Sequence, residues 1–297
     1  MRTYHCHKPR PLRKRGLSLT ELLVALSILA IAISSILVVF VGFLKHFEQS
    51  DDVVAAQQRA ESVMAFLQRP IQNAGLGLPK STEVFKSCFT GSGLPWANWE
   101  GAVSTPEALN HKELRVVYAV PSGAIVSSEV DFTKNENKTV VFVSSHSPAL
   151  NLVTDPSKTN GWIVFPTSGF PCKVIAKGPP LTVNPTESTA VARFDELFYL
   201  KAIRVYVSGD VQTGQLFVEE SGTSNAVPLV DGVVDARFDY DVGKAVLTIW
   251  LLTRGNRRYD TVQTFADQWD SAKFGDVHTE AKHYRLKVTR TVWKVRN

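Results

Sequence analysis

The stretch KRGLSLTE at residues 14–21, followed by LLVALSILAIAISSILVVFVGFL at residues 22–44, decides the fold of this chain. The second stretch is uncharged over its 23 residues. At about 1.5 Å of rise per helical residue it extends about 34 Å, which is enough to cross a hydrocarbon core of about 30 Å. The sequence therefore predicts one membrane-spanning helix.

The charges on the two sides of this span differ. Before Gly16 the chain holds six Lys or Arg side chains and no acidic one. Beyond the span, Lys45 is accompanied by Glu48, Asp51 and Asp52. Because basic residues collect on the cytoplasmic side of a membrane, we expect the N-terminus in the cytoplasm and everything after the span outside it.

A secretory signal peptide is an alternative explanation of the apolar run. Ala30-Ile31-Ala32 fits the small-residue pattern of a cleavage site. However, the apolar run continues past that site and is longer than the roughly 7 to 15 residues of a signal core. We therefore expect the segment to be retained as a membrane anchor.

Glu21 is the one carboxylate at the start of the apolar run. A carboxylate in a membrane span costs free energy, and such groups are usually paired and functional. Alternatively, Glu21 lies at the membrane interface, where the helix dipole favours a carboxylate in the first turn. The residues alone leave both roles open.

The sequence RGLSLTEL at residues 15–22 resembles the class III signal of type IV prepilins. The resemblance implies that a prepilin peptidase cuts after Gly16 and that the new first residue, Leu17, is N-methylated; most family members have Phe there. It also implies an assembly role for Glu21, whose carboxylate would be neutralised by the amino group of Leu17 on a neighbouring subunit.

Removal of a leader at residues 1–16 changes the charge balance. The whole chain has 33 basic and 28 acidic residues, and the mature chain keeps 27 basic against the same 28. The basic character thus belongs to the leader, and we expect no direct binding of nucleic acid.

Cys6 also leaves with the leader, so Cys88 and Cys172 remain. In an oxidising compartment this pair predicts a disulfide, with two separate buried thiols as the alternative.

Helical periodicity continues beyond the span. Apolar residues recur at spacings of three and four, which predicts an amphipathic helix. They are Val53, Ala56, Ala60, Val63, Leu67, Ile71 and Ala74. Pro70 is expected to kink the helix or to end its regular hydrogen bonding, and Gly75 is part of its stop signal. The predicted helix therefore runs from about Leu17 to about Ala74.

The rest of the chain has the pattern of short β-strands separated by Gly, Pro, Asn and Ser. The predicted strands are Leu114–Val120, Thr139–Ser144, Trp162–Phe165, Lys173–Ile175, Leu197–Val207, Gln215–Val218, Val234–Tyr240, Ala245–Leu252 and His283–Val295. The predicted fold class is α+β and type IV pilin-like, with a long N-terminal helix packed on an antiparallel β-rich domain. The expected parts are a cleaved leader at 1–16, the transmembrane and amphipathic helix at 17–75, and an outer domain at 76–297.

Later segments resemble PilW-type minor pilins and the related J-type minor pseudopilins of type II secretion. They are QNAG at residues 72–75, PLVDGV at 228–233 and the terminal RN at 296–297. The resemblance implies a minor pilin that helps to initiate a type IV pilus and sits at or near its tip, for adhesion, twitching motility or DNA uptake. The alternatives are a minor pseudopilin of type II secretion and a membrane-anchored periplasmic enzyme or binding protein.

The resemblance also implies the partners and the location. The partners are other minor pilins, the major pilin, the prepilin peptidase and the assembly platform of the inner membrane. The protein is expected first in the inner membrane with its C-terminal domain in the periplasm, and then in the pilus on the cell surface. We expect no enzyme activity, no cofactor and no metal, because Asp239, Asp241 and Gly243 lack the oxygen ligands of a calcium loop and His278 and His283 lack a motif.

Overall fold

The structure is a computed structural model. It describes residues 18–88, 99, 101–106, 110–143, 161–176, 180–220, 225–263 and 269–295. The chain forms two compact units, Met1–Ser50 and Asp51–Asn297, and we call the second one the outer unit. The domain boundary predicted at 75/76 separates the helix from the strands. The compact units instead divide the chain at 50/51, because the second half of the helix is buried against the strands.

Helix α1 runs from Leu19 to Gln72 and has 54 residues. The chain supplies one helix that is long and apolar enough to cross a membrane within the described residues, and its apolar side chains before Ser50 are exposed. Pro70 lies inside the last turn, so the helix ends two residues later. Gly75 follows with a φ of 72°, a left-handed conformation that favours glycine after a helix end.

Fourteen strands follow among the described residues, and all their pairings are antiparallel. The strands are β1 (Val103–Ser104), β2 (Glu113–Ile125), β3 (Val130–Phe132), β4 (Lys138–Val140), β5 (Trp162–Val164), β6 (Pro171–Ala176), β7 (Leu181–Pro185), β8 (Thr189–Val191), β9 (Glu196–Ser208), β10 (Gln215–Glu220), β11 (Val227–Asp231), β12 (Val233–Asp241), β13 (Val246–Arg258) and β14 (Tyr284–Lys294). The predicted α+β class is therefore confirmed.

The strands form one large sheet and two small ones. The main sheet has the order β1-β2-β9-β5-β6-β7-β4, with β10 beside β9 and β11 beside β10. A second sheet has the order β12-β13-β14, and β3 pairs with β8. Two short helices, α2 (Thr82–Cys88) and α3 (Ser271–Phe274), and a 3₁₀ turn at Thr279–His283 complete the described elements.

The second half of α1 packs against both larger sheets. One apolar core joins one stripe of the helix to side chains of β2, β9, β10, β12 and β13. The helix contributes Ala60, Val63, Leu67 and Ile71, each almost fully buried. Their spacing of three and four is the one predicted from the sequence, and burial of this stripe stabilises the packing of α1 on the sheets.

The opposite faces of both sheets are also covered. Because successive side chains of a strand point to opposite faces, Leu114 and Val116 of β2 face α1 while Val117 and Ala119 pack in a second core with Phe85 of α2. The β12-β13-β14 sheet is covered on its far face by the segment around α3 and the 3₁₀ turn. Both sheets therefore have two buried faces.

A polar contact fixes the start of this packed half of α1. The carboxylate of Asp52 is 4% exposed and accepts hydrogen bonds from the backbone N–H groups of Asn256 (3.0 Å) and Arg257 (3.2 Å) and from the hydroxyl of Tyr259 (2.7 Å). Burial and the bond from its hydroxyl to Asp52 raise the pKa of Tyr259. At Gly255 a Cβ would lie 2.8 Å from that of Asp52, so only glycine leaves room for the carboxylate.

Two turns further along α1, Arg59 makes a second polar contact. Its guanidinium donates to the carbonyl of Arg254 at 2.6 Å and to the side chains of Asn256 and Asp231 at 2.5 and 3.2 Å. It lies against Gly232, which has a φ of 68° and where a Cβ would be 2.7 Å from Nε of Arg59. The PLVDGV segment noted in the sequence thus supplies the surface on which Arg59 lies.

Gly232→Ala is expected to destabilise the outer unit because it adds both backbone strain and a clash with Arg59. The strain of a left-handed non-glycine residue is about 1–3 kcal/mol, and the displaced guanidinium adds about 1 kcal/mol or more. The measurement is chemical denaturation of the full chain in detergent.

The matched control is Gly169→Ala, because Gly169 has a φ of 71° and open space around it. Equal losses for the two variants would show that the contact with Arg59 contributes nothing to the stability of the outer unit.

Candidate processing and assembly site

The candidate site begins at the N-terminal end of α1. The predicted processing residues Gly16 and Leu17 lie outside the described residues, so the cleavage point stays a prediction. The first described residue is Ser18, directly before the helix. Glu21, the predicted assembly residue, lies in the first helical turn.

Ser18 and Glu21 form a reciprocal cap on α1. The backbone N–H of Ser18 donates to Oε2 of Glu21 at 3.1 Å, and the backbone N–H of Glu21 donates to Oγ of Ser18 at 3.2 Å. This is the capping box of a Ser-x-x-Glu sequence, in which the two side chains accept hydrogen bonds from two backbone N–H groups that lack helical partners. The S-x-x-E spacing of residues 18–21 is the sequence signal for this cap, although the cap was not predicted.

The cap gives Glu21 a structural role in this single chain. Both Ser18 and Glu21 are exposed, and the carboxylate lies at the positive end of the helix dipole. This agrees with the interfacial alternative for Glu21. The described residues include no ion pair of Glu21, and the pairing with the amino group of Leu17 on a neighbouring subunit stays a prediction.

The few polar side chains within the span are satisfied inside the helix. The hydroxyls of Ser27, Ser34 and Ser35 donate to the carbonyls of the residues four positions earlier, at 2.9, 2.8 and 2.9 Å. Such bonds remove the cost of an unsatisfied hydroxyl in hydrocarbon. Between Leu22 and Leu44 the helix therefore exposes an apolar surface.

Comparison with known proteins identifies the N-terminal segment. Residues 11–39 match the family described as the prokaryotic N-terminal methylation motif. The motif indicates a type IV pilin-like or pseudopilin-like protein. The match covers the predicted cleavage point, Glu21 and most of the span. Together with the apolar helix it is consistent with a single-pass anchor in the inner membrane. No curated protein and no solved structure matches the chain.

The architecture agrees with this motif. A long N-terminal helix with an apolar first half and a second half packed on antiparallel strands is a pilin-like arrangement. A prepilin-type motif also implies processing and assembly with other pilin components in the membrane. The comparisons leave open which pilin type the chain represents.

The predicted disulfide is not shown. Cys88 and Cys172 are both buried and both free. Cys172 lies opposite Ile163 of β5 in the strand register, and the two share one core. Cys88 instead packs with Trp162 and Val164, the neighbours of Ile163 on the same strand. Because successive side chains point to opposite faces, the two thiols lie on opposite faces of the main sheet.

Burial also reduces the reactivity of both thiols. Desolvation raises the pKa of Cys88 and that of Cys172. A raised pKa lowers the fraction of thiolate, which is the reactive form in oxidation and disulfide exchange. The hydroxyl of Thr186 donates to Sγ of Cys88 at 3.6 Å, which offsets only part of the rise in the pKa of Cys88. The described arrangement is therefore that of two structural, poorly reactive thiols.

The residues considered for a metal site have other partners. Asp239 forms an ion pair with Lys273, and Asp241 forms one with Lys244 at 2.9 Å. The Lys244 ammonium lowers the pKa of Asp241. In the part of the chain that the structure describes, no group of three or more His, Cys, Asp or Glu residues could hold a metal ion.

Thiol labelling tests the arrangement of the cysteines. Mature protein, unfolded without reductant, is expected to show two reactive thiols, because opposite faces of a sheet keep Cys88 and Cys172 apart. The folded protein is expected to react slowly at both. Mass spectrometry of the labelled chain counts them, and finding no reactive thiol in the unfolded chain would establish the disulfide predicted from the sequence instead.

Proposed function

We propose that the protein is a minor pilin that helps to initiate assembly of a type IV pilus and sits at or near its tip. The observation that carries this proposal is the prepilin-type methylation motif at residues 11–39, in register with a capped helix whose first turn contains Glu21. The pilin-like packing of α1 on antiparallel strands supports it.

The size of the chain favours a minor over a major subunit. Cleavage after Gly16 leaves 281 of the 297 residues, and the outer unit alone spans Asp51–Asn297. A large outer unit is costly to place in every layer of a helical fibre but is readily accommodated once, at an end. In this proposal the protein is a structural subunit with no catalytic role.

The proposal includes a route and a set of partners. The chain enters the inner membrane with its outer unit in the periplasm, is cut by the prepilin peptidase, and joins other minor pilins and the major pilin at the assembly platform. It then leaves the membrane with the pilus and reaches the cell surface.

A minor pseudopilin of type II secretion is the second candidate, because the same motif indicates pilin-like and pseudopilin-like proteins. A clean deletion separates the two. Loss of surface fibres with normal enzyme secretion supports the pilus role, whereas loss of secretion with normal fibres supports the pseudopilus role. Normal fibres and normal secretion together would contradict both.

The mature N-terminus is expected to be N-methylated Leu17, because Gly16 precedes it at the place that the motif assigns to cleavage. The measurement is mass spectrometry of the N-terminal peptide from cells with an active prepilin peptidase. An intact leader, or a chain that starts at Ile33 after signal-peptide cleavage, would remove the basis for the proposed function.

Glu21→Gln is expected to insert into the membrane and to be cleaved, yet to enter fibres or the minor-pilin complex poorly. The amide still accepts the backbone N–H of Ser18 but cannot pair with an ammonium group in an apolar environment. Incorporation is expected to fall about tenfold, which corresponds to about 1.4 kcal/mol. Immunoblots of purified fibres measure it.

The matched control is Glu61→Gln, since Glu61 is an exposed carboxylate on the same helix that accepts from Gln57 at 2.8 Å. If Glu21→Gln were incorporated as well as the parent chain, Glu21 would act only as a helix cap.

A further inference from the structure

Strand β14 is an open edge of the β12-β13-β14 sheet. Over Tyr284–Lys294 it pairs with β13, and among the described residues no other strand lies beside it. Alternate residues of such a strand direct their backbone N–H and C=O groups away from the sheet. An edge of 11 residues therefore offers a row of hydrogen-bonding groups to another extended chain.

This edge is also strongly basic. The strand carries Arg285, Lys287, Arg290 and Lys294 and no acidic residue. Lys287, Arg290 and Lys294 are exposed. In the described parts of the chain, none of the four has a carboxylate partner, although Arg285 and Arg290 lie 5.7 and 5.4 Å from the ring centroids of Tyr259 and Trp250. Most other basic side chains of the sheets do have a carboxylate partner.

Strand β12, at the other edge of the same sheet, differs from β14 in its charges and in its backbone hydrogen bonds. There the charges are compensated: Arg237 pairs with Asp235 at 2.8 Å, and Asp239 pairs with Lys273. The backbone N–H of Phe238 is also taken, since it donates to the carbonyl of His111 at 2.8 Å. Of these two edges, as far as the described residues show, the β14 edge alone combines open backbone groups with basic side chains that have no carboxylate partner.

We propose that the β14 edge docks an acidic, extended segment of a partner polypeptide, which adds to the sheet as a fourth strand. Strand addition uses the backbone groups for affinity and the flanking side chains for specificity. The three exposed cations, Lys287, Arg290 and Lys294, then select acidic side chains. This inference does not depend on the proposed pilus function, because it follows from the outer unit alone.

A second copy of this chain is a poor occupant of the edge. Two β14 strands that paired antiparallel would bring two sets of basic side chains together with no acidic residue between them, and like charges across a strand pair are destabilising. Basic residues on an edge also prevent self-association in many proteins. An acidic partner strand turns that repulsion into attraction, so the same residues exclude self-pairing and permit the partner.

Charge alone would also attract other polyanions, such as nucleic acids and anionic membranes, but these do not form hydrogen bonds with the backbone edge of a strand. A nucleic acid or an anionic membrane would need a broad basic surface, whereas these cations lie along one strand. The backbone requirement therefore distinguishes a partner strand from the other two occupants.

The test uses the full chain in nanodiscs of zwitterionic phosphatidylcholine and a labelled peptide of eight residues that alternates Glu and Thr. We expect saturable binding by fluorescence anisotropy and slower amide hydrogen exchange in Tyr284–Lys294. Two matched peptides are controls: one that alternates Lys and Thr, and the acidic peptide with N-methylated backbone amides. Both are expected to bind at least tenfold more weakly.

The variant Lys287→Glu/Arg290→Glu is expected to weaken binding of the acidic peptide at least tenfold, and Lys294→Glu alone about threefold. Lys80→Glu, at an exposed lysine outside the sheets, should change nothing. Unchanged hydrogen exchange in the α1 core verifies the fold of each variant.

Four results would overturn the proposal: no binding of the acidic peptide, equal binding of the N-methylated peptide, no effect of the charge reversals, or protection outside β14. A single-stranded oligonucleotide or phosphatidylglycerol vesicles could also displace the peptide. If that competitor binds the β14 edge more tightly than the peptide does, the edge is assigned to a nucleic acid or a membrane and the proposal is wrong.

Discussion

The buried carboxylate of Asp52 sets the position of the packed half of α1 on the sheets. Apolar packing fixes which face of the helix meets the sheets. Two backbone N–H groups and the Tyr259 hydroxyl also converge on this one side chain. A buried charge without these partners would be strongly destabilising. The contact therefore specifies which residues of the helix meet which strands, and Arg59 repeats the constraint two turns later.

The carboxylates at the start of α1 and at the start of its packed half have different surroundings. Asp52 is enclosed by its own outer unit, so its hydrogen-bonding capacity is used within the chain. Glu21 is exposed, and its one described partner is the backbone of Ser18. A carboxylate that is enclosed serves folding, and a carboxylate that is exposed on an apolar helix is available for a contact between chains. This difference is why the proposed function places assembly at Glu21.

Periodicity was sufficient to predict α1, its buried stripe and the longer strands, because long elements repeat their pattern many times. Short strands such as β3 and β8 were missed, since three residues carry too little pattern. Strand β2 was predicted to end before Pro121 but continues to Ile125, because the register shift there accommodates proline. Strand β13 continues to Arg258 because the polar residues at its end form hydrogen bonds with α1. This tertiary contact cannot be seen in the sequence.

The disulfide between Cys88 and Cys172 was inferred from cysteine number and compartment. The number of cysteines carries no information about which face of a sheet each one occupies.

The capping box at the start of α1 has a consequence for how reversible assembly can be. A carboxylate that must leave water before it finds a partner faces a high barrier, whereas the carboxylate of Glu21 already holds an N–H donor one turn away. Replacing that donor by a neighbouring ammonium group is an exchange of partners, and the forfeited cap is worth about 1 kcal/mol. In the proposed function, the carboxylate of Glu21 would therefore keep a hydrogen-bond donor both in the bilayer and in the fibre core, which lowers the barrier in both directions of assembly.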